Sequence, residues 1–236
     1  MYEAVHVDPA DPGVLEHVLE TAERYGFDGV VIRNHSTGRL ASALEDRLPD
    51  IETPLDVVDG LEIRADDPHQ ASGSVGNFRP QYTILGLHGG TNALNRFAVE
   101  TDKIDVLAHP MAGSGDINHV LVKAAVENGV RLEFSFAPVL RSTGGRRVRA
   151  IQSLKKLHEI VEYYDAPYVV SADPSTPFEI RAPRELVALG AELGFDPDWV
   201  ETGLAEWGVL AERNRRIQSD SFIEPGVERG RYETQR

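Results

Sequence analysis

Hydrophobic and polar residues along the chain follow two alternating patterns. Short runs rich in Val, Ile and Leu predict seven strands, over residues 2–7, 29–33, 54–63, 82–88, 104–109, 131–136 and 167–172. Longer amphipathic stretches predict helices near residues 12–25, 38–48, 91–100, 117–128, 147–164, 183–193 and 203–216. Asp11 is placed to cap the first helix, and Gly129 to end the fourth.

The order of these elements predicts the fold class. Strands that alternate with helices imply parallel pairing through βαβ units. The first strand is not followed by a Gly-x-Gly-x-x-Gly turn, which favours a barrel over a dinucleotide-binding sheet. We therefore predict an α/β protein whose residues 1–217 form a single (β/α) TIM-like barrel, seven-stranded or distorted. Residues 218–236 lack periodicity and apolar content, which predicts a flexible tail.

Three absences in the sequence indicate where the protein resides. No run of about 18 apolar residues could span a membrane. The first residues, MYEAVHVDPADPG, lack the basic start and apolar stretch of a secretory signal. There are no cysteines among the 236 residues, so disulfides and thiolate metal sites are excluded. Together these features predict a cytoplasmic protein.

The charged residues are unusual in number and in type. Asp and Glu total 38 against 24 Lys and Arg, for a formal charge of −14, and only four of the basic residues are lysines. An ordinary acidic protein from a biased genome is one interpretation. The scarcity of lysine favours adaptation to molar salt, where self-repulsion is screened within a few ångströms. Phosphate attraction is weak for every protein in such salt, so the net charge does not exclude a nucleic-acid partner.

Polar residues end most of the predicted strands. The C-terminal ends of barrel strands share one mouth, so we expect these side chains to converge. Imidazole and carboxylate groups together hold divalent ions that activate water beside phosphate esters. The candidate metal ligands are His6, Asp8, His35, Glu62, His109 and Asp173.

These strand ends resemble the motifs of the polymerase-and-histidinol-phosphatase (PHP) superfamily of barrel phosphoesterases. Gly60-Leu61-Glu62 and His109-Pro110 match its motifs, whereas its Asp-His step appears as Asn34-His35. His-x-His is replaced by His6-Val7-Asp8 and Asp-x-His by Asp173-Pro174-Ser175, so two histidines are missing. We interpret the rim as the remnant of an active site and expect no metal ion and no catalytic residue. His88 and His158 match no motif and are expected to be structural or solvent-facing.

One segment concentrates basic residues without any acidic neighbour. It spans residues 141–156 and contains Arg141, Arg146, Arg147, Arg149, Lys155 and Lys156. A loop over residues 142–145 followed by the start of a helix is a natural site for phosphate, which guanidinium groups bind bidentately. Arg181 and Arg184 could extend this patch, although Arg181 could equally form an internal ion pair. The alternative is a solvated helix face whose arginines pair with nearby carboxylates.

Segments in the second half of the chain resemble protein component 3 of archaeal ribonuclease P. They are residues 95–98, 104–110, 117–119, 127–130, 131–151, 171–172 and 180–186, and the similarity extends in order from about residue 2 to residue 217. The resemblance implies a barrel subunit of the particle that removes 5′ leaders from precursor tRNA, in which the RNA is the catalyst and uses Mg²⁺. It also implies contacts with the ribonuclease P RNA, precursor tRNA and other protein subunits, especially component 2.

The resemblance assigns RNA contact to the basic segment. Two other functions stay open from the residues alone. One is a free-standing PHP-type metal-dependent phosphoesterase, which requires the rim to hold metal. The other is an inactive barrel that only scaffolds other proteins.

Overall fold

The computed structural model describes residues 1–7, 11–35, 52–219, 222–224 and 227–228. Seven parallel strands form one sheet in the order of the chain. They are β1 (Tyr2–Val5), β2 (Gly29–Asn34), β3 (Asp56–Ile63), β4 (Ile84–His88), β5 (Val106–Ala108), β6 (Arg131–Ser135) and β7 (Tyr168–Ser171). The sheet curls into a nearly closed barrel, which confirms the predicted fold class.

Helices follow the strands, and most of them cover the outside of the barrel. They are α1 (Pro12–Tyr25), α2 (Pro68–Phe78), α3 (Asn92–Val99), α4 (His119–Asn128), α5 (Ala137–Arg141), α6 (Gly144–Tyr164), α7 (Pro183–Leu193) and α8 (Pro197–Gln218). Short 3-10 turns occur at Arg79–Gln81 and Pro177–Glu179. Within the described ranges, none of these helices combines the length and the apolar content needed to cross a bilayer.

The helix ends follow from local residues. Asp11 accepts a hydrogen bond from the Val14 amide at the start of α1, as predicted. Asn118 caps α4 by accepting from the amides of Val120 and Leu121. Gly129 ends α4 with a φ of 65°, a left-handed conformation that glycine adopts without steric cost.

The predicted boundaries need several corrections. The helix α2 was not predicted, and neither was the short α5. Helix α6 begins at Gly144, so the loop expected over residues 142–145 is shorter than predicted. Helix α8 begins at Pro197, six residues before the predicted start. Most strands are one to three residues shorter at one or both ends than predicted. The predicted helix over 38–48 lies outside the described residues.

The inside of the barrel is filled from one end by α8. Alternate strand residues form an apolar layer that is fully buried, and Trp207, Leu210 and Ala211 of α8 pack against it. The layer consists of Ala4, Val31, Val58, Ile84, Val106 and Val169. The indole of Trp207 donates to the Val170 carbonyl at 2.9 Å. A side chain from a helix thus takes a place that barrel strands normally fill themselves.

The seam between β7 and β1 is closed by a side chain. Within the described residues no strand pairing joins these two strands. The carboxylate of Glu3 is fully buried there and accepts from the Ser171 hydroxyl at 2.6 Å and from the Ala172 amide at 3.2 Å. Burial raises the pKa of Glu3 to about 7, although these hydrogen bonds oppose the shift.

Two short strands follow α8, at Phe222–Glu224 and Val227–Glu228, and pair antiparallel. The other residues of the predicted tail beyond Ser219 lie outside the described residues. The flexibility of the tail stays a prediction.

Candidate functional site: a polar rim beside a basic helix

The C-terminal ends of the strands bring the predicted rim residues together. His6 follows β1, His35 follows β2, Glu62 lies in β3, His109 follows β5 and Asp173 follows β7. His6 Nε2 lies 3.5 Å from Glu62 Oε2 and 2.8 Å from Asp173 Oδ1, and His109 Nε2 lies 3.4 Å from Asp173 Oδ2. Five of the six predicted residues therefore form one cluster, and Asp8 lies outside the described residues.

An arginine occupies the centre of this cluster. Arg33, the fifth residue of β2, is 2% exposed. Its guanidinium lies 3.2 Å from Glu62 Oε2 and 3.1 Å from Asp173 Oδ1 and also contacts the carboxylate of Glu133. The same group lies over the Trp207 ring, 5.1 Å from its centroid. Gly60 is paired with Arg33 in the sheet, where the absence of a side chain leaves room for the arginine.

Two further residues belong to the rim, although neither was predicted to lie there. His88 was expected to be structural or solvent-facing, but its Nδ1 lies 2.7 Å from Glu62 Oε1. Glu133 was not identified from the sequence, and it also accepts from the His109 amide at 3.2 Å. By contrast, His158 is structural as expected, because its ring stacks on Phe195 with centroids 4.4 Å apart.

The charges of the rim shift its ionisation. Burial would raise the pKa of Glu62, but the His88 hydrogen bond and Arg33 outweigh it and hold that pKa well below its usual range. Burial would likewise raise the pKa of Asp173, yet His6 and Arg33 lower it to about 2. Burial lowers the pKa of His35 to about 4, against the attraction of Glu62. Both carboxylates are therefore ionised, and His35 is neutral, at neutral pH.

Two rim residues adopt a left-handed backbone. His109 has a φ of 49° and Asp173 a φ of 52°, and neither is glycine. Such conformations cost about 1–3 kcal/mol and persist only where the surroundings fix them. Here they turn both side chains toward the same point, since His109 and Asp173 contact each other.

The arrangement provides three overlapping groups whose ligand atoms lie within 4.8 Å of one another. They are His6 with His109 and Asp173, His6 with His35 and Glu62, and Glu62 with His88 and His109. Histidine nitrogen combined with carboxylate oxygen suits zinc or manganese. By their chemistry, the residues present could hold a divalent cation.

A cavity connects the rim to the basic helix. It has a volume of about 350 Å³, and His109, Glu133 and Ser135 line its rim side, while Arg149 and Ser153 line the side of α6. Arg149 of the predicted basic segment therefore borders the same mouth as the rim. The segment as a whole lies in α5, α6 and the residues between them.

The basic residues of this region divide into two groups. Four of them are bound by other groups of the protein. Arg141 donates to the carbonyls of Ala172 and Asp173, and Arg181 donates to the carbonyls of Phe178 and Ile180. Arg147 donates to the Ser142 carbonyl, and Lys156 pairs with Asp116 at 2.7 Å. The others are exposed and form no ion pair with any residue that the structure describes. They are Arg146, Arg149, Lys155 and Arg184.

Fold and rim together define the chain as a seven-stranded (β/α) barrel protein with a histidine- and carboxylate-lined mouth. The model of the family described as RNase P subunit p30 matches residues 1–218, and the chain belongs to this family. It is 50% identical to Ribonuclease P protein component 3 of Halorubrum lacusprofundi, over 99% of each chain. It is 53% identical to the protein of the same name from Haloarcula marismortui, over 96% of each chain.

A solved structure shares the fold. The chain superposes with a TM-score of 0.82 on a chain of the cryo-EM structure of archaeal Ribonuclease P with mature tRNA, over 100% of each chain. The two sequences are 22% identical, so this similarity bears on the fold.

Proposed function

We propose that this ribonuclease P subunit contacts the RNA of the particle through the exposed cations of α6. The observation that carries the proposal is their lack of counter-ions. In a chain of formal charge −14, three exposed basic residues of α6 form no ion pair with any described residue. They are Arg146, Arg149 and Lys155, and we refer to them below as the free basic edge.

The expected ionic conditions favour such short-range contacts. At about 1 M salt the screening length is about 3 Å, so only groups in direct contact with a phosphate contribute. Arginine suits this requirement, because its planar guanidinium can donate two parallel hydrogen bonds to phosphate oxygens. The free basic edge begins in the first turn of α6, where amide groups without intrahelical partners also favour an anion.

The basic residues held by the protein have a different proposed role. Arg141 and Arg181 bind backbone carbonyls around the mouth, and Arg141 also pairs with Glu179 at 3.2 Å. We assign these two residues to shaping the surface that meets RNA. Arg184 has no described counter-ion and extends the proposed contact surface. Lys156 and Arg147 could contact RNA only if they gave up part of their present contacts.

The proposed partners follow from family membership. They are the ribonuclease P RNA, precursor tRNA within the particle and the other protein subunits, among them component 2. The catalyst in this proposal is the RNA with Mg²⁺, and no side chain of this chain attacks phosphate. The name of the similar structure, archaeal Ribonuclease P with mature tRNA, supports a particle that binds tRNA and bears on the partners alone.

The test is reconstitution of the particle with a charge-reversed free basic edge. We expect Arg146→Glu combined with Arg149→Glu to weaken binding of the subunit to the RNA and to slow cleavage of precursor tRNA. Each lost phosphate contact should also reduce the slope of log K against log salt by about 0.7 to 0.9. Binding is measured from about 0.5 to 3 M KCl, a range that spans the screened regime.

The matched control reverses two exposed arginines on other helices, Arg24 of α1 and Arg96 of α3. It changes the net charge equally, and we expect affinity and salt slope close to those of the unaltered chain. Equal losses in both double variants would mean that net charge matters rather than position. Unchanged binding and cleavage in the α6 variant would refute the proposed contact.

The phosphoesterase alternative makes a separate prediction. It requires the isolated chain, loaded with zinc or manganese, to hydrolyse phosphate esters without RNA. We expect no such hydrolysis above background, and substantial hydrolysis lost in a Glu62→Gln variant would favour the alternative.

A further inference from the structure

We propose that the ring of Phe178 stacks on an unpaired nucleobase of the RNA that the free basic edge contacts. The inference depends on the proposed function, since it takes RNA as the partner, and it adds an apolar contact to the ionic ones. It is supported by the exposure of the ring, by the rigidity of the turn that carries it and by the charges beside it.

The first observation is the exposure of Phe178. The residue is 91% exposed, more than any other large hydrophobic residue that the structure describes. A benzyl side chain has no polar atom, so water is an unfavourable environment for it. Single exposed apolar residues are nevertheless common on protein surfaces, and exposure alone does not define a binding site. What surrounds the ring therefore decides its role.

The second observation is that the turn carrying the ring is held in place. Arg181 donates to the carbonyls of Phe178 and Ile180, in each case at 2.9 Å. Ile180 is 1% exposed and anchors the chain on one side of the ring. Glu179 pairs with Arg141 at 3.2 Å, which ties the turn to the end of α5. A ring presented by such a fixed turn loses little conformational entropy when a ligand covers it.

This turn lies at the same end of the barrel as the start of α6. It belongs to the connection that follows β7, while the connection after β6 leads into α5 and α6, so both emerge from C-terminal strand ends. In the β7 connection the Pro174 carbonyl accepts from the His6 amide at 2.9 Å, which fixes this connection against the rim. Arg141, which pairs with the turn, is three residues from Gly144, where α6 begins. The ring and the start of the free basic edge thus share one mouth.

The third observation is the charge beside the ring. Arg184, six residues after Phe178, has no ion pair with any described residue, and the one acidic residue between them is already paired with an arginine. Another strongly exposed ring, that of Tyr163 at 80%, is instead flanked in sequence by carboxylates, at Glu162 and Asp165. Phosphates beside a stacked base attract cations and repel carboxylates. The charges therefore select Phe178, and they favour RNA over an apolar pocket of another protein.

Stacking suits the ionic conditions expected for this chain. Aromatic side chains stack on any base, and removing one costs about 5- to 150-fold in affinity, equivalent to about 1–3 kcal/mol per base. The contact is apolar, so salt does not screen it, whereas phosphate contacts weaken as the salt concentration rises. Removal of the ring should therefore lower the affinity by a similar factor at every salt concentration.

The experiment titrates the full chain with transcribed ribonuclease P RNA in about 0.5 to 3 M KCl. We expect Phe178→Ala to lower the affinity about 5- to 150-fold without changing the salt slope. Phe178→Trp retains a stacking ring and should keep the affinity, and its added tryptophan should lose fluorescence on binding this RNA but not on mixing with a blunt RNA duplex. The matched control is Tyr163→Ala, which removes another exposed ring and should bind as the unaltered chain does.

The outcomes separate this inference from the proposed function. Binding that falls in the variant with Arg146→Glu and Arg149→Glu but not in Phe178→Ala would overturn the stacking and leave the basic contact standing. An equal loss in Phe178→Ala and Phe178→Trp, or no change in the fluorescence of the latter, would also overturn it. Unchanged RNA binding by Phe178→Ala with lower recovery of another protein subunit from native cells would assign the ring to a protein partner instead. No RNA binding by the unaltered chain would overturn both.

Discussion

Replacement of Arg33 by methionine tests whether the arginine holds the rim together. The side chain is 2% exposed and contacts three carboxylates. Methionine keeps much of the apolar stem against Trp207, so the main loss is the positive charge. Removing one partner of a buried ion pair costs about 3–5 kcal/mol, because the other partner is left unpaired. We therefore expect Arg33→Met to lower the free energy of unfolding by about that amount at pH 7.

The pH dependence distinguishes this cause from a packing defect. In the unaltered chain the pKa of Asp173 is lowered from 3.8 to about 2, and that of Glu62 is lowered as well. Their stabilisation is present above the unfolded pKa near 4 and is lost as the pH falls toward 2. Without Arg33 these carboxylates bind protons more readily in the folded state. The difference between variant and unaltered chain should therefore be largest at pH 7 and shrink below pH 4.

The assay is urea unfolding in molar KCl with a chelator, at pH 7 and at about pH 3, inside the range where the stabilisation is lost. The control is Arg96→Met, which removes an exposed arginine 3.7 Å from Glu100 and should change stability by no more than about 0.5 kcal/mol. A loss below about 1 kcal/mol at pH 7 would contradict the pairing argument. An equal loss at both pH values would point to packing instead.

Three further predictions concern the core and the surface. Glu3→Gln should stabilise the protein at pH 8. The pKa of Glu3 is raised from 4.5 to about 7 in the folded chain, so the folded protein loses about 3 kcal/mol of stability as the pH rises through that range. If the free energy of unfolding of the variant depends on pH as steeply as that of the unaltered chain, this role of Glu3 is excluded. Trp207→Ala should cost about 3–5 kcal/mol in chemical unfolding, since the indole fills the barrel, and a cost near zero would show that it does not. The Tm should fall from molar to millimolar KCl because 38 carboxylates then repel one another, whereas a flat Tm would refute the salt-adaptation interpretation.

The sequence predicted the barrel well because its strands are β-branched runs separated by amphipathic helices. Local signals placed Asp11 and Gly129 correctly. The pattern missed α2, whose sequence includes Gly73 and Gly76 and which buries only Ala71 and Val75. With so few apolar positions there is no 3.6-residue period to detect. The Asp67-Pro68 step was the available signal for its start.

The rim was predicted in part because strand ends must converge, whatever the side chains are. Its central charge was missed, because an arginine or a glutamate within a strand run is usually solvent-facing. The alternation of inward-facing and outward-facing residues along each strand was the available signal. Arg33 lies two residues after Val31 in β2, so both side chains point into the barrel. In β6, Glu133 lies two residues after Arg131 and therefore points to the same side of the sheet as Arg131. The contacts of Arg141 and Arg181 with backbone carbonyls depend on tertiary structure and could not be predicted.

The most direct test of the central claim is purification of the tagged chain from its native cells in high salt, followed by sequencing of the co-purified RNA. A ribonuclease P subunit that contacts the particle's RNA should recover the ribonuclease P RNA and the other protein subunits. The variant with Arg146→Glu and Arg149→Glu should recover less of that RNA. Recovery of the folded chain with no enriched RNA and no other ribonuclease P subunit would contradict the account.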